Sequence, residues 1–106
     1  MLQFKVVRVN FPPFHGNENT QTVSHTFLNK LTNLKTGAHL ALNGFDIKFS
    51  KDARPFHEVK IDCSDLPVIK SDQKTVEFKV TILLRDNPGN IDKKYEGWVD
   101  VLIIAD

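Results

Sequence analysis

The tightest constraint on this chain is a period of two in its apolar residues. In TVEFKVTILL, residues 75–84, Val76, Phe78, Val80, Ile82 and Leu84 are apolar, and Glu77, Lys79 and Thr81 alternate with them. Successive side chains of a strand point to opposite faces, so this pattern predicts a strand with one dry and one wet side. FHEVKIDC repeats it, with Val59, Ile61 and Cys63 against Glu58, Lys60 and Asp62. LQFKVVRV and TQTVSHTF carry the same period more weakly. Turn-rich segments separate these runs: FPPFHGNEN, SKDARP, SDLPVIKSDQK and RDNPGN. The expectation is an all-β chain, one antiparallel β-sandwich domain of about six strands over residues 1–106.

The run AHLALNGFDIKF breaks the period in an informative way. Leu40 and Leu42 are even-numbered, whereas Phe45, Ile47 and Phe49 are odd-numbered. A straight strand would send the two groups to opposite faces. A bulge at Asn43-Gly44 restores a single inner face; two strands joined by a tight Asn-Gly turn is the alternative. Helix signals amount to one short turn in SHTFLNKLTNLK, where Phe27, Leu31 and Leu34 are helically spaced but Thr and Asn lower the propensity.

The closing run GWVDVLIIA is apolar on both faces. Val99, Val101 and Ile103 share one; Trp98, Leu102 and Ile104 share the other. One face meets the core, and the second needs a cover. Either a second copy of the chain supplies it, making Trp98, Leu102 and Ile104 an oligomer interface, or Phe11 and Phe14 fold over it.

Several function classes lose ground on composition. Fourteen basic and thirteen acidic residues leave a net charge of +1, too little to steer the chain to nucleic acid. Nothing approaches the ~18 apolar residues of a membrane helix, so no membrane insertion is expected, and MLQFKVVRVN lacks the shape of a secretory signal. The compartment stays open. Cys63 is the only cysteine, which excludes an internal disulfide. His15, His25, His39 and His57 offer no metal-ligand spacing. His57 and Cys63 lie six residues, about 20 Å, apart along an extended strand, too far for a nucleophile–base pair. In the loop after the long strand, Asp86, Asn87, Asn90 and Asp92 miss the EF-hand pattern, because Pro88 takes the third ligand position and Gly comes too early. No cofactor and no enzyme activity are expected.

Residues 20–106 resemble the H-type lectin domain of snail agglutinins and of the discoidin C-terminal domain. The match runs through TQTVSHTF, HLALNGFDI, KDARPFHEVKIDC, VEFKVTILLRDN and KYEGWVDVLIIAD, in that order. The resemblance implies a carbohydrate-binding module that forms trimers or hexamers and takes galactose or N-acetylgalactosamine near subunit boundaries. On this reading Arg54 contacts sugar hydroxyls, Tyr95 stands near the site at the start of the last strand, and Gly16 and Asn17 belong to an early binding loop. A solvated turn charge and a strand-end aromatic are the ordinary alternatives for Arg54 and Tyr95. Where the family keeps an aromatic and a His after the long strand, this chain has Arg85, Asp86 and Asn87, which suit a more polar or charged glycan. Such a module is compatible with an extracellular or cell-surface setting. A non-enzymatic assembly subunit, of a virion or a surface appendage, is the competing reading.

Overall fold

A computed structural model describes residues 1–35, 37–50, 58–63, 67–85 and 94–106. Among these the chain is all-β, with two antiparallel sheets packed together as a sandwich. The strands are β1 (Gln3–Phe14), β2 (Asn19–Thr26), β3 (Ala38–Phe49), β4 (Glu58–Cys63), β5 (Val68–Ile69), β6 (Thr75–Arg85) and β7 (Tyr95–Ala105). The first sheet has the order β1-β7-β3; the second has β2-β6-β4, with β5 also on β6. Because β2 already pairs with Val76 and Glu77, β5 must lie on the other side of β6, in line with β4. Among the described residues seven strands therefore fill six positions. The run SDLPVIKSDQK, which its composition marks as turn alone, contains the two residues of β5.

Both central strands are the ones with the densest apolar patterning. From β7, Tyr95, Val99, Val101, Ile103 and Ala105 are fully buried; from β6, Val76, Val80 and Ile82 are. Val9 and Phe11 of β1 and Phe49 of β3 close the core around them. The outer face of the second sheet is polar, with Thr20 bonded to Thr81 at 2.7 Å and Thr26 to Thr75 at 2.8 Å. Water can cover that face; the outer face of the first sheet is different in kind.

The bulge in β3 is present. The pairing to β7 shifts between Leu42 and Gly44, so Asn43 is the extra residue, and β3 runs on without a hairpin. Leu40, Leu42, Phe45, Ile47 and Phe49 thereby all stand opposite inward positions of β7. Burial is incomplete, because β3 is an edge strand: Leu42 and Phe45 remain 48% and 49% exposed.

Two other expectations differ. The stretch 27–35 forms no helix; Phe27 and Leu31 are buried because their amides bond to the carbonyls of Lys74 and Gln73, at 2.9 and 2.8 Å. Their spacing marks two anchor points on the neighbouring turn. The stretch FPPF continues β1, with a register shift between Phe11 and Phe14. Two adjacent prolines without N–H donors are tolerated there because β1 lies at the edge of its sheet.

Candidate ligand site

One end of the sandwich gathers most of the residues singled out from the sequence. At that end β1 finishes, β2 begins, β3 finishes, β4 begins, β6 finishes and β7 begins. Gly16 and Asn17 lie in the β1–β2 connection, and Arg85 is the last residue of β6. Arg54, Asp86 and Asn87 lie outside the described residues, although the strand ends that flank them, Phe49 with Glu58 and Arg85 with Tyr95, are at this same end. Arg85 points to the outer face of the second sheet and pairs with the carboxylate of Glu58, its cross-strand neighbour.

Tyr95 is an interior residue. It is 0% exposed, and its hydroxyl donates to the carbonyls of Asn17 at 2.8 Å and Ile82 at 3.2 Å. Its ring meets the edge of Phe14 with centroids 5.8 Å apart. Burial and then the nearby Glu18 carboxylate push its phenol up to about 12. A side chain so enclosed has no surface for a sugar, so Tyr95 leaves the ligand set and instead ties the Asn17 loop to the core.

The outer face of the first sheet carries the second group. Phe11 is 2% exposed within the core and Phe14 packs beside Tyr95, so neither covers this face. Leu102 and Ile104 are half-buried there, beside Val6 and Phe4 of β1, which are 43% and 59% exposed. This apolar strip fills the half of the face toward the chain termini.

Trp98 belongs to the other half. Its neighbours across the sheet are Asn10 and Asp46. The Arg8 guanidinium lies 3.8 Å from the centre of the indole and grips Asp100 with two bonds, of 2.8 and 3.0 Å. That grip holds the Arg8 guanidinium above its ordinary value and the Asp100 carboxyl below its own. A fork-to-fork ion pair has defined geometry, so the ring beneath it is held in one orientation.

On the side of Trp98 away from Arg8 and Asp100 lies a cleft of about 380 Å³, lined by Asn10, Pro12, Asp46, Lys48, Glu96 and Trp98, with Phe11 and Gly97 at its base. Gly97 is needed where β7 meets β3. Its φ is +156°, and a Cβ there would sit 1.9 Å from the carbonyl oxygen of Asp46. Asp46, Lys48 and Glu96 make no ion pair or side-chain hydrogen bond among the described residues, which leaves three charged groups available around the ring.

The sequence singles out Trp98, as part of an expected oligomer interface, and does not point to Arg8, Asp46, Lys48 and Glu96. Each of these sits at the outward phase of its strand, which the period does reveal. Their convergence depends on β7 lying between β1 and β3, which no local pattern states. No protein-family model, no curated protein and no solved structure matches this chain.

Proposed function

We propose that this chain is a non-enzymatic carbohydrate-binding module of lectin-like type, working as a homo-oligomer with several weak sites. The observation that carries the reading is the Trp98 cleft. Sugars lay their C–H faces on aromatic rings while fixed polar groups read the hydroxyls. Here a braced indole is flanked by two carboxylates, an ammonium and an amide, at the end of the sandwich where β1 and β3 finish and β7 begins. A cleft of this size lies at the small end of the ~300–1,000 Å³ range of ligand pockets. Single-site affinity is then low, and repetition in an oligomer raises the avidity.

The test is a glycan array probed with the native protein, with Trp98→Ala and with Arg54→Ala. The cleft reading expects Trp98→Ala to lose at least tenfold in signal, as removal of a stacking platform does. Loss confined to Arg54→Ala moves the site to the loop rim that the lectin resemblance implies. The uncovered strip of Phe4, Val6, Leu102 and Ile104 favours a second reading, an assembly subunit of the structural kind. Silence of the native protein across the array, with an intact oligomer in solution, selects that alternative.

A further inference from the structure

The charges around Trp98 define what class of sugar the cleft should take. Resting on the carbohydrate-binding reading, we infer that the Trp98 cleft is a subsite for a hexose bearing a free, protonated amino group, and that it disfavours acidic sugars. Four observations lead there.

First, the lining carries two carboxylates, Asp46 and Glu96, against one ammonium, Lys48. Second, the two carboxylates are diagonal neighbours on adjacent strands, since Asp46 stands opposite Trp98 and Lys48 opposite Glu96. Diagonal positions are about 7–8 Å apart at the backbone, a span that two flexible side chains can close around one small cation. Third, neither carboxylate is engaged by another described residue, and Lys48 lies beyond ion-pair distance of both. Their acceptor capacity is unspent. Fourth, the other cation near the ring, Arg8, is neutralised by Asp100 and does not line the cleft. The part of the indole that lines the cleft is then the place for a sugar's C–H groups and for an ammonium.

In this arrangement the amino group lies between Asp46 and Glu96, the pyranose ring rests on Trp98, and Lys48 and Asn10 serve the hydroxyls. An acidic sugar finds Lys48 as its one cationic partner and meets two repelling carboxylates. One net unit charge at ~6–8 Å in a water-exposed site discriminates by about three- to tenfold at low salt, and the effect shrinks as salt is added. The ranking expected is amino sugar first, neutral sugar second, acidic sugar last.

The protein carries one tryptophan, so its fluorescence reports on this cleft directly. The experiment titrates glucosamine, glucose and glucuronic acid into the native protein at low and at high salt, then into Asp46→Asn/Glu96→Gln. Both substitutions are at solvent-facing positions and keep hydrogen-bonding capacity, so the fold should persist. Support consists of the stated ranking in the native protein, narrowed at high salt and abolished in the double variant. Equal or tighter binding of glucuronic acid overturns the inference and leaves the carbohydrate reading standing. A ranking that survives the double variant also overturns it, because the discrimination then arises elsewhere. Absence of binding by all three sugars, together with a silent glycan array, removes both.

Discussion

Tyr95 shows what burial does to a single titrating group. The neutral phenol is stable in the core, and its ionised form would have to leave water and face the carbonyls of Asn17 and Ile82. Because its folded value is raised above the ordinary value of 10, its stabilising contribution is complete below pH 10 and is lost as pH climbs toward 12. A rise of that size in an enclosed group corresponds to about 2–3 kcal/mol. Denaturant melts of native protein and Tyr95→Phe at pH 8 and pH 11.5 should differ accordingly. The variant loses about 1–2 kcal/mol at pH 8, where the Asn17 carbonyl loses the hydroxyl that donates to it. It should decline less than the native protein between the two pH values; equal decline would show that folding does not raise the Tyr95 phenol above its ordinary value. The inward turn of Tyr95 was already legible as alternation with Val99, Val101 and Ile103. Its resemblance-based role near a sugar was at odds with that phase, and the phase prevailed.

At the scale of the element, β3 and β7 show two ways in which backbone geometry sets side-chain address. The bulge at Asn43 keeps five apolar residues on one side of β3. Deleting Asn43 joins Leu42 to Gly44 in unbroken register, so all five stay inward. The expected cost is at most about 1–2 kcal/mol, the ordinary range for a change that leaves burial intact. Deleting Asp46 instead cannot keep all five inward, and the deletion variant should be the less stable of the two in a thermal melt. Gly97 makes the opposite case, where no side chain is allowed. Gly97→Ala drives a Cβ into the backbone of Asp46 and Ile47, neither of which can yield without separating β3 from β7. A loss of about 3 kcal/mol or more is expected, enough to unfold a marginal domain. A near-native melting temperature would contradict that contact. The bulge was legible in the sequence because it disturbs a local period. Gly97 was not, because the clash is with a strand about fifty residues away.

The whole molecule is narrow for its length. Its radius of gyration is 15.7 Å, against about 13 Å for a compact globule of this size. Long strands in sheets only three positions wide leave much apolar surface at the edges and on one face. Leu42, Phe45 and Val59 are exposed along the β3/β4 edge, and Leu2, Phe4 and Val6 on the outer face of the first sheet. Patches of this kind mark contact surfaces. In sedimentation velocity the native protein should associate as concentration rises from micromolar upward, and Leu102→Glu should suppress association while leaving the melt within about 1 kcal/mol, as for a partly exposed outer-face site. A native protein that stays monomeric throughout this range removes the outer-face interface from the account.

What the sequence by itself determined was the local grammar of the pleat. It specified where the strongly alternating strands run, though not β5 or the FPPF end of β1, which side of each is apolar, that β3 carries an irregularity, and that β7 has one apolar face more than a sandwich needs. All of these follow from the alternation of side chains along a single segment. The tertiary structure alone decided who meets whom. It set β7 between β1 and β3, placed Arg8 over Trp98 across ninety residues of chain, and gathered Asp46, Lys48 and Glu96 beside the ring. The physical reason is that alternation is settled within a few residues, whereas strand order depends on how all the apolar faces are covered at once. The second face of β7 was therefore visible early, while its division into an apolar strip and a charged cleft emerged only when the neighbouring strands were in place.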